Sequence, residues 1–228
     1  MQLQAEAPPV SNQDSFIDEV TEEVRRDKLY ALYRKYGWMA ALAIIVLVGG
    51  AAWNEWRKAA AEAEAQAAGD ALIGALSAET PEARAEALAA LELPEDPGRR
   101  AVTLMMQAGA EAETGDIAAA RAAYDRVAGD AELPERVRDV ATLKSVILGT
   151  GDIAPEDRIA RLSPIAVPGS PYRLLALEQI ALAELESGDA EKALETLQRI
   201  AADAEVTQDL RRRVSQLIVA LGGELSAT

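Results

Sequence analysis

The sequence predicts an all-α protein: a single N-terminal transmembrane helix followed by a helical-repeat (α-solenoid) domain. Three observations predict it. Alanine, glutamate, leucine and arginine are abundant, side chains that lose little rotamer freedom on a helix, and aromatics make up only 4%. Residues 36–54 carry no charge. The heptad "AEAETGD", Ala110 to Asp116, returns 73 residues later as "AELESGD", Ala183 to Asp189.

Composition also excludes chemistry. The 228-residue chain has neither Cys nor His. This removes thiolate nucleophiles, disulfides, thiolate or imidazole zinc sites and imidazole bases. A net charge of −15 argues against nucleic acid as a partner. No spacing fits a calcium loop, "PGSP" is no phosphate loop, and "GTGD" lacks the lysine that would follow in one. No cofactor and no metal are expected.

From the N-terminus, residues 1–14, "MQLQAEAPPVSNQD", are polar and aperiodic with a Pro-Pro pair, the composition of a disordered tail. Residues 15–35 predict an amphipathic juxtamembrane helix. Ser15 with Asp18 or Glu19 is a helix-start signal; Phe16, Val20 and Val24 recur at i, i+4, i+8, and Tyr30, Tyr33 and Tyr36 at i, i+3, i+6. Residues 36–54, "YGWMAALAIIVLVGGAAWN", approach the roughly 20 that cross a bilayer as a helix. Tyr36 and Trp38 mark one end and Trp53 and Trp56 the other, an aromatic belt, with Arg34 and Lys35 beside it at the membrane interface. The lipid bilayer is therefore the first expected partner.

The flanking charges give an orientation. Arg25, Arg26, Lys28, Arg34 and Lys35 precede the span, whereas Arg57 and Lys58 follow it among Glu55, Glu62 and Glu64. Lys/Arg excess marks the cytoplasmic side, so residues 1–35 are expected in the cytoplasm and residues 55–228 outside it. The 35 residues ahead of the span are long for a signal peptide and contain acids, which favours a retained anchor over cleavage near "GGAA".

Beyond the span, residues 55–98 predict a helical stalk and N-terminal helices, residues 99–222 the repeats with a C-terminal capping helix, and residues 223–228 a tail. Capping residues and prolines open, and glycines close, helices expected at about 55–78, 81–91, 99–114, 117–129, 134–149, 155–164, 171–187, 189–203 and 206–221. Placing Gly115-Asp116 over Gly188-Asp189 aligns Leu104 with Leu177, Ala108 with Ala181, Ala120 with Ala193, Tyr124 with Leu197 and Val127 with Ile200. This is the tetratricopeptide pattern: a helix, a tight Gly-Asp turn, and a second helix antiparallel to the first. A third turn, Gly151-Asp152, lies 36 residues after the first and 37 before the last, near the unit length of about 34. This middle unit is degenerate, with Pro155 after its turn and the loop "VPGSP" after its short second helix.

Paired carboxylates recur, Glu111 with Glu113 and Glu184 with Glu186, but i and i+2 do not face each other on a helix. They make a poor acid–base pair and are expected to be a solvated acidic face; no enzyme activity is expected. The first helix of each unit is expected to line a concave partner groove: Val102, Met105, Gly109 and Ala112, then Arg138 and Ala141, then Leu175, Glu178, Leu182 and Leu185. An apolar strip with an occasional charge suits a partner's hydrophobic segment; Leu182 and Leu185 would serve equally as core, because one helix must bury a face in any case. In the last helix Leu210, Val214, Leu217 and Leu221 form one face, and Arg211, Arg212 and Arg213 are expected to fan into solvent.

Taken together, "FIDEVTEEVRRDKLYALYRKYGW" running into the span, "MMQAGAEAETGDIAAARAAYDRVAGDAELPERVRDVATL" and "GSPYRLLALEQIALAELESGDAEKALETLQRIA" resemble a bacterial family of bitopic tetratricopeptide-like proteins. Its best-known member is the ancillary subunit of the SecYEG translocon. The resemblance implies an inner-membrane protein with a periplasmic repeat domain. Its implied partners are translocon subunits, a periplasmic chaperone and exported chains. A scaffold or assembly factor for another inner-membrane or envelope complex would use the same surface.

Overall fold

The computed structural model describes residues 12–224, with side chains from Arg34 onward. The tails expected at 1–14 and 223–228 therefore lie largely outside the described residues. The chain divides into two units, Met1–Gln66 and Ala67–Thr228.

Helix α1 (Asn12–Leu76) supplies all the described structure of the first unit. It begins upstream of the expected start at Ser15 and continues through the boundaries drawn at 35 and 54. No proline falls between Asn12 and Leu76, and within hydrocarbon every backbone N–H and C=O must be bonded internally, so nothing ends the helix. Residues 36–54 alone extend about 28 Å at 1.5 Å per residue, against a hydrocarbon core of about 30 Å. Ile44 to Val48 are 61–73% exposed, and Trp38 and Trp53 are 64% and 62% exposed. A contiguous apolar surface of this kind is foreign to a water-facing helix. α1 is apolar enough to cross a membrane.

The second unit is a chain of short helices: α2 (Pro81–Ala89), α3 (Pro97–Glu113), α4 (Ile117–Ala128), α5 (Glu135–Leu148), α6 (Pro155–Leu162), α7 (Arg173–Glu186), α8 (Ala190–Ala201) and α9 (Gln208–Ala220). From α2 onward each packs on the next in sequence, and no β-strand is present among the described residues. Their ends fall close to those read from the sequence because the capping chemistry is explicit. Thr80, Asp96, Asp116, Asp189 and Thr207 each accept a backbone N–H of the first turn, and Pro81, Pro97 and Pro155 sit at first helical positions, where the missing N–H costs nothing.

The Gly-Asp turns are one device used repeatedly. Gly115 and Gly188 have φ of +85° and +88°, a left-handed conformation that penalises a Cβ. The Asp116 N–H donates to Glu111 O, and the Asp189 N–H to Glu184 O, both at 2.9 Å. This bond closes a helix C-terminus and reverses the chain. Gly151 (φ +93°) is also left-handed, but the middle turn is built differently: α5 is capped at Gly149, and the Asp152 and Ile153 N–H groups donate to Gly149 O at 3.0 and 2.8 Å.

The 73-residue offset extends further than two helix pairs: it carries α3, α4 and α5 onto α7, α8 and α9. Ala108, Ala120, Ala181 and Ala193 are at most 1% exposed, the small residues that let paired helices approach. Tyr124 and Val127 fill one core with Leu104, and Leu197 and Ile200 fill the equivalent core with Leu177. A third cluster joins them, with Leu143 and Val146 of α5, Leu162 of α6, and Ala176 and Ile180 of α7. Helix α9 caps the array because it stands where α5 stands in the first copy but carries exposed Gln216 and Val219 at the positions of Leu143 and Val146. A more polar outer face is what ends a stack of repeats.

The eight-residue α6 is fastened by two arginines one turn apart. Arg158, 2% exposed, pairs with Glu186 of α7. Arg161 pairs with Asp125 of α4, which also accepts a 2.6 Å hydrogen bond from the Ser145 hydroxyl of α5.

The expectation of solvated glutamates is corrected at two positions. Glu111 and Glu184 are 9% and 3% exposed. Helix geometry puts the i and i+2 side chains on different faces, so Glu113 and Glu186 point outward and their partners inward. The Glu184 carboxylate accepts from Thr196 Oγ1 (3.0 Å) and pairs with Lys192 (3.1 Å) on α8. Glu111 accepts from Gln107 (2.8 Å), and its Oε2 has no hydrogen-bond partner. The first copy has Ala123 where the second has Thr196.

The offset also exposes an ion-pair clasp that the sequence reading missed. Arg100, at the start of α3, donates to Asp130 (2.7 Å) and Glu132 (3.1 Å) in the α4–α5 loop. Arg173 donates to Asp203 and Glu205, both at 2.8 Å, in the α8–α9 loop. Asp130 and Asp203 each also accept the backbone N–H two residues on. The recurring "DAE" at 130–132 and 203–205 was the signal.

The arginine hydrogen bonds, then those N–H groups, hold the Asp130 and Asp203 carboxyls below the ordinary carboxylate range. A carboxyl whose folded pKa is depressed stabilises the fold above its unfolded pKa of about 3.9 and loses that contribution as pH falls through the lower folded value. Asp139 acts with the opposite sign: burial, then Glu135, raises its pKa, so its ionisation works against folding. An Asp130→Asn, Asp203→Asn double variant should therefore be less stable than the parent at pH 7 and lose stability less steeply below pH ~4. Urea melts at stepped pH check this, and parallel curves for the two proteins would refute it.

Candidate partner-binding surface

The first helix of each pair, α3, α5 and α7, together with α9, carries two open hollows. One, of about 540 Å³, is lined by Leu143 and Ile147 of α5, Leu175, Glu178 and Leu182 of α7, and Leu217 of α9. The other, of about 320 Å³, is lined by Met105, Met106 and Gly109 of α3 with Tyr124 and Lys144, and carries Arg84 and Glu113 at its edge. They occupy the same place in the two copies. Met105, Met106, Gly109 and Lys144 of one stand 73 residues before Glu178, Gln179, Leu182 and Leu217 of the other. Both open beside one face of α5, since Lys144 and Ile147 are i, i+3 neighbours.

Their electrostatics differ. In the larger hollow Glu178, 6% exposed, accepts from Arg213 Nε (2.9 Å) and Nη2 (2.8 Å), a bidentate pair that ties α9 to α7. That hydrogen-bonded carboxylate raises the Arg213 pKa. Arg213 is exposed, as expected of the three arginines, but is also tied to Glu178, and Arg212 pairs with Asp209 on its own helix. In the smaller hollow Arg84 and Glu113 neutralise each other at 2.9 Å. The Lys144 ammonium instead lies 5.5 Å from the centroid of the Tyr124 ring.

Of the residues expected in the groove, Met105 and Gly109 line one hollow and Leu175, Glu178 and Leu182 the other. Val102 is exposed on α3, and Ala112, Arg138 and Leu185 are half-buried. Ala141 is corrected: it is 0% exposed and packed in the first core. It lies 73 residues before Val214, itself fully buried, so the offset would have placed it inside. Met106, Lys144 and Ile147 were missed; Met106 is one turn on from Val102, and Lys144 corresponds to Leu217. Of the interface set, Arg34, Lys35, Tyr36, Trp38, Trp53 and Trp56 are all exposed on α1. Trp53 and Trp56 lie 5.2 Å apart, and Lys35 lies 5.5 Å from the Tyr36 ring centroid.

No curated protein and no solved structure matches the chain. A family model described as "Tetratricopeptide repeat-like domain" matches residues 31–155, more than half of the sequence. The match runs from residue 31, within α1, through the first complete helix pair to the middle Gly-Asp turn, Gly151-Asp152. Domains of this kind typically serve as non-enzymatic protein-interaction modules. With its antiparallel helix pairs, left-handed glycine turns and apolar N-terminal helix, the chain belongs to the tetratricopeptide repeat-like domain family.

Proposed function

We propose that the chain is a membrane-anchored protein-interaction adaptor. Its repeat domain stands on the periplasmic side of a bacterial inner membrane and serves newly exported chains beside the Sec translocon and periplasmic chaperones. The observation that carries the adaptor reading is the combination of a lipid-type surface on α1 with a repeat domain whose first helices hold two hollows. The basic flank before the span supports the orientation, and the resemblance to the translocon-associated family supports the partner class. No catalytic step is assigned to it. A scaffold for another inner-membrane or envelope complex would use the same surface with a different partner.

In-membrane crosslinking with mass spectrometry is the test. Translocon subunits or a periplasmic chaperone among the crosslinked proteins are the expected result. Reproducible crosslinks to an unrelated envelope complex would replace the translocon by that complex, and no protein crosslink at all would overturn the adaptor reading. A C-terminal reporter fusion should be active only when the reporter works outside the cytoplasm.

A further inference from the structure

We propose that the hollow over Gly109 is the anchoring pocket of the repeat domain. It takes a leucine-sized aliphatic side chain from an acidic amphipathic segment of a partner protein, and a neighbouring carboxylate of that segment meets Lys144. This deepens the adaptor reading and rests on it.

Four observations converge. Gly109 lies inside α3, where glycine weakens a helix relative to alanine. Nothing in the fold requires it: its φ is not in the left-handed region, and a Cβ built there meets no atom within 4 Å. The second copy of the same site holds Leu182 at this position. The space left above Gly109 is thus one that this fold elsewhere fills with leucine.

The walls suit an aliphatic guest. Met105 and Met106 are unbranched and adaptable, Met106 is 44% exposed, and Tyr124 is 4% exposed beneath. The charge selects the flank. Lys144 has a ring for a neighbour, while Arg84 and Glu113, the other charged residues lining the hollow among the described residues, are paired with each other. The exposed Lys144 cation at an apolar hollow favours a carboxylate over an ammonium at that point of the partner. The larger hollow offers no such choice, since its Glu178 and Arg213 neutralise each other.

The test uses the full chain in nanodiscs and three labelled synthetic amphipathic peptides. They share a leucine face and differ in carrying Glu, Gln or Lys beside it; empty nanodiscs control for lipid binding. Fluorescence anisotropy should show the Glu peptide binding about ten-fold more tightly than the Gln peptide. Lys144→Gln should remove that preference, and Lys144→Glu should transfer it to the Lys peptide. Gly109→Ala should raise the thermal midpoint while weakening the Glu peptide. Gly109→Met, which fills the space, should weaken it at least about ten-fold.

The Gly109→Ala melt shows that lost binding is not lost folding. Equal binding of the three peptides, or unchanged binding in Gly109→Met, would overturn the proposal. Binding lost in Leu182→Glu but intact in Gly109→Met would move the anchor to the larger hollow and leave the adaptor reading standing. The adaptor reading itself is decided by the membrane crosslinking, which uses none of these variants.

Discussion

Leu162→Ala should destabilise the repeat domain by about 2–5 kcal/mol, the usual cost of a cavity at a fully buried leucine, and should uncouple its two halves. Leu162 is 0% exposed in the cluster that joins α5 to α7. It lies on the shortest helix of the array, so few other apolar contacts compensate. In repeat proteins stability is carried by interfaces between neighbours, and weakening one interface divides the array there. Hydrogen exchange should show α7–α9 and α3–α5 opening in separate steps in the variant and together in the parent. A single opening step with a loss under about 1 kcal/mol would contradict the role given to α6.

Ile45→Arg with Val46→Arg should remove the chain from membranes. Both residues lie at the middle of the apolar stretch and are 68% and 65% exposed. Arginine at a helix centre costs about 2.5–3.5 kcal/mol for insertion, and each lost branched apolar residue about 0.5 kcal/mol more. The pair therefore costs about 6–8 kcal/mol, while Ile45→Leu should change nothing. Extraction of isolated membranes at alkaline pH is the measurement. Arg-variant protein that stays with the membrane as firmly as the parent would refute the spanning role of α1.

What the sequence revealed and what it concealed divide along physical lines. The helix ends were legible because Thr80, Asp96, Asp116, Asp189 and Thr207 are capping residues whose chemistry is local. The Gly-Asp turns were legible because a left-handed residue favours glycine. The unbroken α1 was less so: changes in polarity at 35 and 54 looked like boundaries, yet polarity does not end a helix that lacks a proline. The inward turn of Glu111 and Glu184 was misjudged because glutamate is usually solvated, and only the facing helix shows that Thr196 and Lys192 await one of them. The same holds for the site. Met105 and Gly109 follow from stepping along one helix, but Lys144 comes from another and depends on tertiary packing. Ala141 was misplaced for the same reason, since an alanine fits a groove floor and a core equally well.

The three tryptophans, Trp38, Trp53 and Trp56, all lie on α1 within the first unit, whereas Tyr124 and Tyr172 belong to the repeats. Indole emission therefore arises from α1 alone. It follows the polarity around the ends of the apolar stretch, and no residue of α2–α9 emits with it. Insertion of the anchor can thus be followed in an unlabelled sample by a signal that originates at the anchor itself.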